Sequence, residues 1–258
     1  MFFRSISYIK FLLKSTNQHG VHSPFVYDLI TKCFYKKTNK TKVIGFNLFV
    51  QKLKNNHKTI EVTDFGAGSK VFKNNHRQVS RIAKHAGISK KYAKLLTRIT
   101  TYFSPNAILE IGTSLGIGTA ALHLGNHTAK ITTLEGCAET ANIANNQFNQ
   151  FQYKSINLIV GEFSLTLNKA TNNNVYDLVY FDGNHKKTPT LHYFETCLES
   201  IHNDSIFIFD DIHWSKEMEE AWEIIKQHPK VKVTIDTYQW GIVFFRKEQE
   251  KEHFTIRV

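Results

Sequence analysis

Two textures divide the chain. From residue 1 to about 104, apolar positions recur at helical spacing, as at Phe3, Ile6, Ile9 and Leu13, and the pattern predicts helices over roughly 5–14, 24–35, 43–54, 77–86 and 89–103. No strand alternation is evident there. Ser23 followed by Pro24 has the form of an N-cap with proline at the first helical position. After Ser104-Pro105 short apolar runs alternate with helical stretches, as in a parallel sheet covered on both faces. The runs are 107–112, 130–136, 156–161, 175–183, 205–211, 231–236 and 240–245.

Helices fit between the first six runs. Only Thr237, Tyr238 and Gln239 join the last two, too few for a parallel crossover, so those strands form a hairpin. The expected architecture is therefore α/β: a Rossmann-like, mostly parallel sheet of seven strands with one antiparallel strand, preceded by an N-terminal helical region. The expected division is 1–104 for the helical region and 105–258 for the sheet domain. The segment 62–70, VTDFGAGSK, looks like a glycine-rich turn, but no adequate sheet follows it, and it reads as a loop.

Charge sharpens the division. Residues 1–104 hold 20 Lys/Arg against 3 Asp/Glu, whereas the remainder holds 13 against 19, within a net charge of +11. A basic half can face an anionic substrate, nucleic acid or a membrane surface, or be a solvated lysine-rich surface. Three cysteines without CxxC spacing indicate neither a disulfide framework nor a zinc site and fit a reducing cytoplasm. Arg4 and Lys10 interrupt the apolar start, which argues against a signal peptide, and no uncharged stretch approaches the roughly 20 residues of a membrane span.

The chemistry-bearing residues lie at strand ends. Gly112, Gly116 and Gly118 separate the first strand from its helix, where glycine lets backbone approach a ligand. Their GxxxGxG spacing differs from the GxGxxG of dinucleotide sites. Glu135 ends the second strand, where a carboxylate can accept hydrogen bonds from two ribose hydroxyls, and Gly161-Glu162 ends the third, where it can hold an adenine amine.

With these residues, 105–246 resembles the class I S-adenosylmethionine-dependent methyltransferases: EIGTSLGIG is similar to their first motif and TTLEG to their second. The resemblance implies S-adenosyl-L-methionine as cofactor. It places Glu110 and Gly112 near the methionine part, Glu135 on the ribose, and Glu162 to Ser164 beside adenine.

Asp182 ends the fourth strand with His185 three residues on, and Asp210 and Asp211 end the fifth. Carboxylates converging on one crevice repel one another, and a hard cation such as Mg2+ relieves this with oxygen ligands. Such a metal can lower the pKa of an acceptor hydroxyl, with His185 as general base. The segment resembles the metal-dependent O-methyltransferases of the catechol type and relatives acting on sugar or macrolide hydroxyls. That resemblance implies Asp182, Asp210 and Asp211 as metal ligands and His185 with Asp182 as catalytic residues. In the catechol type a lysine stands in the place of His185. The competing structural reading is that Asp211 or Ser215, ahead of KEMEEAWEII, simply starts the next helix.

HGVHSPFVYDL, DFGAGS and KEHFTIRV extend the resemblance to a bacterial methyltransferase group without an assigned substrate, and the helical region is then expected to cap the acceptor side. The expected acceptor is a small-molecule hydroxyl. The alternatives are an RNA or other nucleic-acid methyltransferase using the basic half, disfavoured because no NPPY-like segment follows the fourth strand, and a noncatalytic binding module. Oligomeric state is open, a homodimer included.

Overall fold

Helix formation at the N-terminus follows the predicted signals. α1 spans Phe2–Lys14, and α2 spans Pro24–Leu29 with the Ser23 hydroxyl accepting the Val26 N–H at 3.4 Å. The helix expected to run to 35 changes pitch instead: Ile30–Phe34 is a π-turn, closed by Tyr35 N–H donating to Ile30 O at 2.9 Å. The structure is a computed structural model and describes residues 2–63, 65, 74–85 and 87–258. In the segment 62–70, residues 64 and 66–70 lie outside the described residues.

The chain divides into two compact units, one of Lys36–Ala170 and one of Met1–Tyr35 with Thr171–Val258. The first begins with α3, Lys40–Lys54, and then departs from the expectation of helices alone: β1, Thr59–Glu61, pairs antiparallel with β2, His76–Gln78. The expected helix at 77–86 accordingly starts late, as α4, Val79–His85. Three-residue strands are too short for alternation to announce them.

α5, Lys90–Phe103, is capped by Ser89 and ends at Ser104, whose left-handed φ of 47° turns the chain into β3, Ala107–Ile111. α6, Ile117–Gly125, packs on α5 so tightly that Thr97 and Thr101 hydroxyls donate to the carbonyls of Ala121 and Gly125, both at 3.1 Å. β4, Lys130–Glu135, then α7, Ala138–Gln150, β5, Ile156–Val160, and α8, Phe163–Thr171, follow. β3, β4 and β5 pair in parallel with β4 in the middle.

In the other unit β6, Leu178–Phe181, pairs in parallel with β7, Ile206–Asp210, with α9, Lys187–Cys197, between them in sequence. α10, Lys216–Gln227, leads to β8, Val233–Asp236, and β9, Trp240–Phe244. β9 lies between β7 and β8 and is antiparallel to both, the expected hairpin. Its five residues are all buried, and Gly241 is required there: a Cβ would meet the Trp222 ring at 2.5 Å. Burying a large apolar side chain of this kind contributes roughly 1.5–3 kcal/mol.

The expectation of seven strands is one short. β10, Glu252–Thr255, adds in parallel to β8 as an eighth, and the chain then bridges back to Thr16 through Ile256. Half-exposed, it carries little apolar signal. The fold is thus the expected Rossmann-like α/β class, and among the described residues β9 is the antiparallel strand of the long pairings. Among the described residues no helix is long and apolar enough to cross a membrane.

Candidate active site

The glycine turn after β3 is tied to the end of β4 by backbone. Gly112 and Thr113 N–H groups both donate to Leu134 O at 3.0 Å, and Gly161 N–H donates to Glu135 O at 2.9 Å. The carboxyl ends of β3, β4 and β5 therefore adjoin, bringing Gly112, Glu135 and Gly161 together. Gly116 caps α6 with φ 78°, a conformation L side chains rarely adopt, and the Phe148 ring leaves no room for a Cβ. Gly118 is buried in the first turn of α6. Glu162 and Ser164 lie at the start of α8, where Glu162 O accepts the Thr166 N–H at 3.0 Å.

Two carboxylates here have opposite surroundings. Glu135 is half-buried, its Oε2 accepting the Ser114 N–H at 2.7 Å and its Oε1 the Cys137 N–H at 2.9 Å. Both bonds come from backbone, so the carboxylate is held rigidly. Glu110 is fully buried; its Oε2 accepts from the hydroxyls of Thr119 and Thr133, and its Oε1 has no partner among the described residues. Burial raises its pKa to about 7, helped by the charge of Glu135 and opposed by the two hydroxyls.

In the other unit, Asp182 follows β6 and takes a hydrogen bond from Tyr180 Oη at 3.2 Å. His185 Nε2 stands 3.7 Å from Asp182 Oδ1, an ion-pair distance. Asp210, buried, ends β7, and Asp211 follows at φ 56° with its N–H on Asp210 Oδ1 at 2.8 Å. Asp211 does not cap α10. Ser215 does, its hydroxyl accepting the Met218 N–H at 3.2 Å. Burial and the Asp210 charge push Asp211 up to about 6, against the opposing effects of His185, Gln239 and Arg4. A cavity behind His185 and Asp210, walled by Phe181, Tyr193, Phe209 and Met218, has about 10 Å³, room for one water and not for an acceptor.

Two residues here have no counterpart among the sequence-derived site residues. Gln239 Nε2 donates to Asp210 Oδ1 at 2.7 Å and to Asp211 Oδ1 at 2.6 Å. The register was the available signal: Trp240 pairs opposite Asp210 across β7 and β9, so its neighbour falls beside the acidic pair. His213 bridges Glu219 Oε1 and Asp236 Oδ2, at 2.8 and 2.9 Å, and stacks on Tyr238. Burial pulls its pKa down, but Asp236 and Glu219 outweigh burial and raise it. α1 closes over this network: Ser7 donates to Glu219, Tyr238 Oη donates to Arg4 O at 2.8 Å, and the Arg4 guanidinium lies 4.6 Å from the Trp214 ring centre. Among the described residues no three His, Cys, Asp or Glu side chains are gathered closely enough to hold a metal ion.

Residues 109–212 match the family described as a methyltransferase domain. No curated protein matches the sequence. Among solved structures, the chain is similar to the S-adenosylhomocysteine-bound Podospora anserina methyltransferase PaMTH1, at 14% identity and TM-score 0.62 over 88% of this chain and 97% of that one. It is similar to the Bacillus cereus O-methyltransferase in complex with S-adenosylhomocysteine, at 17% identity and TM-score 0.56 over 86% and 96%. A third similarity is to TomG, the Streptomyces achromogenes O-methyltransferase of tomaymycin synthesis, at 16% identity and TM-score 0.55 over 63% and 82%. At these identities the likeness is one of fold.

Proposed function

We propose that this chain, with its methyltransferase domain at 109–212, transfers the methyl group of S-adenosyl-L-methionine to a small-molecule hydroxyl. The observation that carries the reading is Glu135, whose carboxylate is fixed by two backbone N–H groups at the end of β4 beside a glycine turn, the place from which a carboxylate can bind a ribose diol. The residues present fit the cofactor: a pinned acceptor at the end of β4, an orphaned buried oxygen on Glu110, and a helix start capped by glycine rather than by a side chain. In this reading Gly112, Gly116 and Gly118 admit the methionine part, and Gly161, Glu162 and Ser164 flank adenine. S-adenosyl-L-methionine supplies a methyl group on a sulfonium, an electrophile that needs no activation.

The acceptor must lose a proton as its oxygen attacks. His185 takes that proton, and Asp182 at 3.7 Å stabilises the imidazolium that forms. Once bound, the cofactor would supply its methyl group to that oxygen, with S-adenosylhomocysteine as the leaving product. Asp182, Asp210 and Asp211 carry the oxygen ligands that Mg2+ takes, but among the described residues they are not gathered closely enough to hold one, so no step of this reading passes through a cation. α1, with Arg4 near Asp211 and Trp214, covers the acceptor side.

The test is transfer of a labelled methyl group to phenols, catechols and sugar hydroxyls, with the unmodified protein and His185→Ala. Product with the former, reduced in the latter, supports the reading. Transfer to nucleic acid alone would overturn the acceptor class, and transfer to nothing would overturn the activity.

A further inference from the structure

α1 turns apolar side chains both inward and outward. Inward, Phe11 is buried between Ser7 and Ser15, and the helix is fastened on that side: Ser7 donates to Glu219, Tyr238 Oη donates to Arg4 O at 2.8 Å, and the Tyr238 ring centre lies 4.8 Å from that of Tyr8 and 5.6 Å from that of Phe11. Outward, Ile6, Ile9 and Leu13 recur at i, i+3 and i+7 and so form one stripe, 51, 57 and 83% exposed. A helix face turned to water ordinarily carries polar side chains. The charges beside this stripe have one sign. Lys10 lies four residues after Ile6 and Lys14 four after Lys10, which sets both along its flank, and both are exposed. α1 holds Arg4, Lys10 and Lys14 and no acidic residue, and the first Asp or Glu in the sequence is Asp28. Exposed Arg257, whose N–H donates to Thr16 O at 3.2 Å, adds a cation just past the end of the helix.

We propose that the outward face of α1 docks on an anionic lipid surface, with Ile6, Ile9 and Leu13 entering the boundary between headgroups and acyl chains and Lys10 and Lys14 meeting lipid phosphates. A helix lying in the plane of a bilayer has this arrangement, with apolar side chains on one face and lysines at its edge whose stems run along apolar surface to the headgroups. Its 13 residues suffice to lie on a bilayer and are too few to cross one. A second copy of the chain does not answer the same face. Two such helices would set lysine against lysine, and three side chains fall far short of the roughly 800 Å² per partner that a stable interface buries. An anionic bilayer meets the stripe and its charges together. The docking is independent of the methyl-transfer reading.

The experiment is co-sedimentation of the full chain with vesicles of phosphatidylcholine alone and of equal parts phosphatidylcholine and phosphatidylglycerol, for the unmodified protein, Ile9→Asn/Leu13→Asn and Lys10→Gln/Lys14→Gln. The unmodified protein is expected to pellet with the anionic vesicles, less so as salt is raised, and to stay in solution with the neutral ones. Each double variant should bind the anionic vesicles about tenfold or more weakly, one through lost apolar insertion and the other through lost charge. All four positions are exposed, so both variants should melt with the unmodified protein; if the Asn pair melts early, the Lys pair and the salt dependence decide. Failure of the unmodified protein to pellet, equal pelleting with both kinds of vesicle, or undiminished binding by the Lys pair or by a stably folded Asn pair overturns the proposal. So does a dimer, seen by sedimentation velocity without vesicles, that Ile9→Asn/Leu13→Asn dissolves, since the face would then belong to a second copy.

Discussion

The Glu135 carboxylate accepts the Ser114 backbone N–H at 2.7 Å, so the end of β4 and the glycine turn after β3 form one rigid corner although 21 residues separate them. In the proposed reading, loss of that carboxylate removes the corner and the ribose acceptor together. Glu135→Ala is expected to weaken S-adenosylhomocysteine binding about 100-fold or more, since at least two charge-assisted hydrogen bonds disappear. Glu135→Gln, which keeps one acceptor oxygen, should fall between. Calorimetric titration of the three proteins measures the order.

Glu110 makes stability depend on pH. Its pKa rises from 4.5 to about 7 on folding because the charged form is buried. The folded state therefore holds a proton that the unfolded state releases. The contribution is fully present below about 4.5 and is lost as pH rises through about 7, by at most about 3 kcal/mol. Glu110→Gln carries no proton to lose, so its melting temperature should fall less than that of the unmodified protein between pH 5 and 8. Parallel curves would contradict the assignment.

Gly116 is sterically obliged. Gly116→Ala must hold φ 78° and place a Cβ 2.5 Å from the Phe148 ring, which together should cost about 2–4 kcal/mol. Thermal denaturation reads the loss, and an unchanged melting temperature would mean that the turn relaxes freely.

His185 and Glu135 should separate by assay. His185→Ala is expected to lower kcat about 10²- to 10⁴-fold while leaving S-adenosylhomocysteine affinity unchanged, because a base acts on the acceptor and not on the cofactor. Equal loss of both would place His185 in a structural role.

What the sequence shows depends on how far apart the cooperating groups stand. The glycine turn, Glu135 and the paired aspartates are legible because strand ends in a parallel sheet converge and each apolar run announces its own end. The hairpin of β8 and β9 follows from a three-residue connection. β1, β2 and β10 are not legible, being short or half-exposed at an edge, with pairing decided by distant partners. The π-turn at Ile30–Phe34 keeps helical apolar spacing and so hides within it. His213 was unassignable alone, since Glu219 is on α10 and Asp236 on β8, and only packing brings them to its two ring nitrogens. Gln239 reads as a turn residue until the register places it against Asp210 and Asp211.

The most direct test of the central claim is calorimetric titration of S-adenosylhomocysteine into the unmodified chain. Binding at one site per chain, lost in Glu135→Ala and kept in Asp182→Ala/Asp210→Ala, is the predicted result. No binding by the unmodified chain would contradict it, leaving a methyltransferase fold without its cofactor.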